Sequence, residues 1–190
     1  MKQKLILASA SPRRAAILKQ LGIPFEVQVS QVQEENVQGP IHLQAEQLAL
    51  AKARAVAQFR EGLILGADTV VAVEGEILGK PEDEADAVRM LQKLSGKEHQ
   101  VVTGLALVEG KGGREFCSHE LTFVQMRPLS REEILRYVAT GEPLDKAGAY
   151  GIQGLGAALV REIRGCYYNV VGLPVGLLVD QLANFGIAVP

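Results

Sequence analysis

Leu5-Ile6-Leu7-Ala8-Ser9-Ala10-Ser11-Pro12-Arg13-Arg14 passes from an apolar run to a helix start within a few residues, and the rest of the chain is organised around it. It reads as strand, turn and helix, the opening of a mixed α/β chain. Ser11 is a good N-cap and Pro12 suits the first helical position. Ala15, Ala16, Ile17, Leu18 and Leu21 continue a helix that Gly22 closes. Arg13 and Arg14 therefore occupy the first turn, facing the positive end of the helix dipole. A bound anion reverses the sign of that interaction, because free backbone N–H groups, a serine hydroxyl and two guanidinium forks suit phosphate or carboxylate. The other reading open at this point is a surface helix whose arginines extend into water.

The 190 residues carry 20 Lys+Arg against 22 Asp+Glu, so net charge is −2 and no global field draws the protein to nucleic acid or to an anionic membrane. The 47% hydrophobic and 22% charged fractions are those of a globular protein with a substantial core. No apolar run approaches the roughly 20 residues that span a bilayer, and the short run 5–8 is no signal peptide. With only Cys117 and Cys166, the expectation is a reduced, cytoplasmic protein with no membrane or nucleic acid polymer as partner.

Phe25, Val27 and Val29 alternate with polar residues, which predicts a half-buried strand running into Gln33-Glu34-Glu35-Asn36 and a Gly39-Pro40 break. From Ile41 to about Phe59 the pattern predicts a long amphipathic helix, within which Lys52 taken alone reads as a surface lysine. Residues 63–67 are continuously apolar, as in a strand buried on both faces, and the run is expected to end at Asp68-Thr69. A carboxylate there is costly to bury unless paired or metal-bound, which makes Asp68 a functional candidate over a turn residue. Glu74-Gly75-Glu76 turns the chain back, and a helix with an acidic first turn follows Pro81 and stops at Ser95-Gly96. Residues 101–108 and 116–126 form a predicted hairpin, and Ser130 with Glu133 opens another helix as a capping box.

Three familiar chemistries are excluded. Gly75 to Lys80 has the wrong glycine spacing for a P-loop, and Pro81 stands where Ser or Thr is needed. Gly154-Leu155-Gly156 lacks the third glycine of a dinucleotide fingerprint, and a strand-like run over 157–163 follows it instead of a helix. Cys117 and His119, two apart on one strand face, are poor geometry for a nucleophile and base, and no histidine has zinc-ligand spacing to a cysteine. The glycines and proline of 141–154 prevent long regular structure while its polar residues vary, as in functional loops or in an Ω-loop tied by its own side chains. A last helix is expected from Pro174.

Five stretches in order resemble the Maf family of nucleoside triphosphate pyrophosphatases. They are Ser9-Ala-Ser-Pro-Arg-Arg14, Gly66-Ala-Asp-Thr-Val70, Gly79-Lys-Pro81, Gly141-Glu-Pro-Leu-Asp-Lys-Ala-Gly-Ala-Tyr150 with Ile152-Gln153-Gly154, and Asn169-Val-Val-Gly-Leu-Pro174. The resemblance covers essentially the whole chain as a single domain, 1–190. It implies an inosine-triphosphatase-like α/β fold, two-lobed, with an elongated mixed sheet flanked by helices and a central cleft. It implies divalent-metal-dependent cleavage of a nucleoside triphosphate to monophosphate and pyrophosphate, with Asp68 as proton acceptor for the attacking water. By the same resemblance Ser9, Arg13 and Arg14 bind phosphates, and Glu34, Lys52, Lys80, Asp145 and Lys146 are further polar cleft residues. Arg13, Thr69 and Gln153 occupy the positions that separate substrate subgroups, here resembling the dTTP/UTP subgroup rather than the 7-methyl-GTP one. The chain departs from the family where two acids are usual and it has Gln33-Glu34, with Glu35 next. A homodimer is expected, and so is an alternative role as a nucleotide-binding regulator of septum formation with little catalysis.

The residue types suit that chemistry on their own terms. A triphosphate carries about four negative charges, which Arg13, Arg14, Lys52, Lys80 and Lys146 can offset. Asp68 and Glu34 offer hard oxygen ligands for Mg²⁺ or Mn²⁺. Whether Asp68 is base, metal ligand or both stays open, and the Gln153 amide can read a base edge through donor and acceptor.

Overall fold

The computed structural model describes residues 4–32 and 39–189. Seven strands form one mixed sheet in the order β2-β1-β3-β5-β6-β7, with β4 paired to β3. These are β1 (Leu5–Leu7), β2 (Phe25–Val27), β3 (Leu63–Val73), β4 (Glu76–Leu78), β5 (Glu98–Glu109), β6 (Glu115–Met126) and β7 (Val160–Arg164). The helices among the described residues are α1 (Pro12–Gln20), α2 (Ile41–Ala57), α3 (Glu84–Leu94), α4 (Arg131–Val138), α5 (Tyr167–Val171) and α6 (Val175–Asn184). None is long and apolar enough to cross a membrane.

The chain divides into two compact units, and three long strands contribute to both. The first comprises residues up to Asp68, Thr103–Glu120 and the segment from Gly172. Here β1 pairs in parallel with β2 on one side and with β3 on the other, Leu7 standing opposite both Val27 and Leu65. By the right-handed rule for crossovers between parallel strands, α1 and α2 belong on opposite faces of these strands. Burial agrees with this, since Leu5, Ile6, Leu7, Leu63, Ile64 and Leu65 are all buried whichever way they point. Ile6, Ala8 and Ile64 pack with Ala49, Ala53 and Val56 of α2.

Two glycines set how closely α2 lies on the sheet. A Cβ on Gly66 would stand 2.1 Å from the Ala49 carbonyl oxygen, and one on Gly104 would stand 2.1 Å from that of Ala45. The alanine stripe of α2 rests on this glycine floor.

The second unit comprises Thr69–Val102 and Leu121–Val171. Its core joins Val71, Val73, Met90, Leu91, Leu94, Val124, Ile134 and Tyr150. α3 is capped by Asp83, and α4 opens on the expected capping box of Ser130 and Glu133. Between α4 and β7 the chain forms short 3₁₀ turns over Glu142–Asp145, Ala147–Ala149 and Gly154–Leu159.

Some expectations change. β3 does not end at Asp68 but continues as an eleven-residue strand to Val73, because Lys52 compensates the buried carboxylate. β2 is an edge strand of three residues, and Val27 and Val29 are exposed, so the alternation there does not mark a buried face. β7 starts only at Val160, since residues up to Leu159 wind as a 3₁₀ turn. Pro174 lies just before α6, whose first residue is Val175.

Candidate active site

In the first unit, strand order reverses between β1 and β3, and the carboxyl end of such a reversal is where α/β sheets bind ligands. The Ser9 to Arg14 turn leaves β1 there, and Asp68 follows the paired Leu65 on β3. Alternation along β3 puts Ile64, Gly66 and Asp68 on the face that α2 covers. Lys52, three residues after Ala49, points to the same face. Its Nζ donates to Asp68 Oδ1 at 2.5 Å, with the two side chains 9% and 11% exposed. The reading of Lys52 alone as a surface lysine is therefore corrected.

Arg14 does not extend into water either. It is buried, donates from Nε to the Gly172 carbonyl at 2.7 Å and from Nη1 to Ser9 Oγ at 3.0 Å. Ser9 Oγ also accepts the Ser11 N–H at 3.2 Å, and Ser11 caps α1 through the Arg14 N–H. α1 has no acid in its first turn, so its N-terminal dipole meets no side-chain anion of its own helix. Arg13 is half-buried beside it. Glu34, the expected second metal ligand, lies outside the described residues.

The second unit holds Thr69, Lys80, Asp145, Lys146 and Gln153. Thr69 is half-buried, and alternation turns it to the opposite face of β3 from Asp68. Lys80 is exposed between β4 and α3, and the neighbouring Gly79 carbonyl accepts the Gly148 N–H at 3.0 Å. That bond ties the Gly79-Lys80-Pro81 stretch to the 141–154 loop. Lys146 Nζ donates to Asp145 Oδ1 at 2.6 Å and to the Glu142 carbonyl at 2.5 Å. Gln153 is exposed. Gly148 has φ +70°, and a Cβ there would meet Val71 Cγ1 at 3.0 Å, which leaves glycine the residue that fits. Ala149 follows with φ 58°, a conformation costly for a residue with a Cβ.

The cysteine and histidine candidates stay apart from this chemistry. Burial pushes the Cys117 thiol up to about 11, reinforced by the nearby Glu46, so it is no thiolate at neutral pH. Its Sγ donates to the Glu46 carbonyl, and His119 Nδ1 lies 2.7 Å from Glu46 Oε1. Both cysteines are free. Among the described residues no three of His, Cys, Asp and Glu group to hold a metal.

Sequence reasoning missed Glu142 and Tyr137. Glu142 Oε1 accepts the Tyr137 hydroxyl and the Gly156 N–H, each at 2.9 Å, and Oε2 accepts the Leu155 N–H at 3.0 Å. The signal was the position of Glu142 inside a loop too rich in glycine to hold itself by secondary structure.

A family profile described as Maf-like protein matches residues 4–185. A dTTP/UTP pyrophosphatase from Symbiobacterium thermophilum is 57% identical over 187 residues, 97% of this chain and 95% of that one. One from Moorella thermoacetica is 54% identical over 188 residues, 98% and 97% of the two chains. Among solved structures, the Staphylococcus aureus Ham1 protein aligns with a TM-score of 0.52 at 16% identity over 96% of this chain and all of that one. A HAM1 protein from Coxiella burnetii gives a TM-score of 0.52 at 19% identity over 83% and 80%. These likenesses bear out the inosine-triphosphatase-like α/β fold, and the sequence matches show that the chain belongs to the Maf-like protein family.

Proposed function

We propose that this chain hydrolyses dTTP and UTP to the monophosphate and pyrophosphate. The observation that carries the reading is the buried Lys52–Asp68 pair on the α2 face of β3, at the strand reversal from which the arginine-bearing turn departs. The family membership and the names of the relatives supply the substrate class.

In this reading Asp68 accepts a proton from water as the water oxygen bonds to the α-phosphorus. The bond from that phosphorus to the bridging oxygen breaks, and pyrophosphate leaves with its electron pair. Lys52 holds the Asp68 carboxylate in place. Arg13, Arg14 and Ser9 bind phosphate oxygens at the α1 N-terminus, and Lys80 and Lys146 add positive charge, with Asp145 orienting Lys146. Thr69, Arg13 and Gln153 set the preference for a pyrimidine base. The donor chemistry suits Mg²⁺ or Mn²⁺, since Asp68 and Glu34 are hard oxygen ligands of the number such ions take while sharing substrate phosphates and water. When bound, the ion would neutralise phosphate charge. The reading extends to a cytoplasmic homodimer, on the family resemblance.

The test is turnover of a panel of canonical and modified triphosphates with Mg²⁺ or Mn²⁺, the products separated by chromatography. Monophosphate plus pyrophosphate, fastest from dTTP or UTP, is the expected result. Purine preference overturns the specificity, and orthophosphate as first product overturns the reaction. Binding without turnover points to a regulator instead. Asp68→Asn is expected to lower kcat by about 10²–10⁴-fold, the range of a general base, while its circular dichroism stays that of the wild type.

A further inference from the structure

The 141–156 segment carries residues assigned above to two ends of a nucleotide, Lys146 to the phosphates and Gln153 to the base. Its 3₁₀ turns are short, so side chains must supply its rigidity. Glu142 supplies most of it. Its carboxylate takes the Leu155 and Gly156 N–H groups, two and three residues beyond Gln153, together with the Tyr137 hydroxyl from α4. Its own carbonyl takes Lys146 Nζ. Gly154, at φ +64°, permits the approach, since a Cβ there would stand 2.8 Å from Glu142 Oε2.

The electrostatics match the geometry. Burial opposes the Glu142 charge, but the two backbone N–H donors, the Tyr137 hydroxyl and Lys146 outweigh it and hold the carboxyl below its usual range. Tyr137 is pushed up by burial and by Glu142, so it remains a protonated donor.

We propose that Glu142 is a positioning residue that joins the two ends of the site, fixing the peptide that presents Gln153 to the base while holding Lys146 through its carbonyl. Nucleobase selectivity then depends on a side chain that never touches the base. The inference rests on the reading of Gln153 as a base reader in a pyrimidine triphosphate pyrophosphatase.

The test compares kcat/KM for dTTP and dGTP in wild type, Glu142→Gln, Tyr137→Phe, Gln153→Ala and the Glu142→Gln/Gln153→Ala double variant. The ratio of the two constants does not depend on the fraction of active protein, so a merely structural loss leaves it unmoved. Glu142→Gln keeps the shape but puts an amide donor against one of the two backbone N–H donors, and the dTTP preference is expected to fall about tenfold, chiefly through KM for dTTP. Tyr137→Phe leaves the carboxylate and its bonds to the Leu155 and Gly156 N–H groups, while removing the hydroxyl that donates to Glu142 and accepts the Gly151 N–H at 3.4 Å. It is expected to shift the ratio in the same direction by about twofold, and it carries the test if Glu142→Gln does not fold. The double variant is expected to be no less selective than Gln153→Ala alone. An unchanged ratio in Glu142→Gln and Tyr137→Phe, with Gln153→Ala shifted, overturns the inference and leaves the reading of Gln153 standing. Wild-type turnover of dTTP with a ratio that Gln153→Ala does not move overturns the base-reader assignment and the inference with it.

Discussion

On α2, Lys52 follows Ala49 by three residues and Arg54 follows it by five, and that difference in angle decides what each cation does. Lys52 turns inward to Asp68 at 2.5 Å, whereas Arg54 turns outward and forks onto Glu115, with Nη2 at 2.6 Å and Nε at 3.0 Å from its carboxylate oxygens. A sequence window of lysine, alanine and arginine carries no sign of which one is buried, because the partner stands 16 residues away on another element. Asp68 was legible, since a carboxylate after a run of apolar strand residues demands a compensating charge. The family resemblance marked Lys52 as a polar cleft residue, but only the structure pairs it with Asp68. The pair predicts an asymmetry in stability. Lys52→Ala leaves the Asp68 carboxylate buried without its ammonium and is expected to cost about 3–5 kcal/mol in urea unfolding. The double variant Lys52→Ala/Asp68→Ala is expected to be more stable than Lys52→Ala alone. A double variant that loses the sum of the two single effects would show the pair to be uncoupled.

Between elements, the close contact of α2 with the sheet is what brings Lys52 to Asp68. Ala45, Ala49 and Ala53 are fully buried, and the backbone of α2 approaches so near that Gly66 and Gly104 have no room for a methyl group. Gly66→Ala or Gly104→Ala must push the helix away, which is expected to cost about 3 kcal/mol or more by urea unfolding. Gly66→Ala should also reduce turnover per folded molecule, because the displaced helix carries Lys52 with it. Gly176 in α6 is the contrast, since a Cβ there meets nothing within 4 Å and its φ is not left-handed. Gly176→Ala is expected to raise stability by about 0.5–1 kcal/mol through helix propensity. Equal losses at all three positions would mean that the close approach is not what the glycines serve. Helices with local signals were legible from sequence, α1 by Ser11 and Pro12 and α4 by its capping box. The glycine floor was not, because Gly66 and Gly104 have ordinary backbone conformations and their role lies wholly in contacts distant along the chain. The end of β3 was misread for the same reason, as the cost of an interior carboxylate is removed by another element.

For the whole molecule, the mixed α/β class followed from the succession of apolar runs and helical periods, whereas the order of the strands in the sheet and the electrostatics of the interior needed coordinates. His99 at the start of β5 is the clearest case. It is 2% exposed, its Nε2 lies 2.7 Å from the Tyr150 hydroxyl, and the two rings meet edge to face at 88°. Burial lowers its pKa from 6.5 to about 4, against a smaller opposing contribution from the Lys97 backbone. The unfolded chain therefore binds more protons than the folded one between these values, so stability falls as pH drops from 6.5 toward 4. Across the full window the loss is about 3 kcal/mol at most. Carboxylates held low by cationic partners, such as Glu76 beside Lys93 and Arg89 or Glu115 beside Arg54, lose their contribution only at more acid pH, below the unfolded value of 4.5. Urea midpoints measured between about pH 7 and pH 5 thus report on the protonation of His99. His99→Gln, which can still hydrogen-bond the Tyr150 hydroxyl but cannot titrate, is expected to flatten the dependence on the acid side of that window. A variant with the wild-type slope would place the proton uptake elsewhere and show that His99 is reached by solvent before the molecule unfolds.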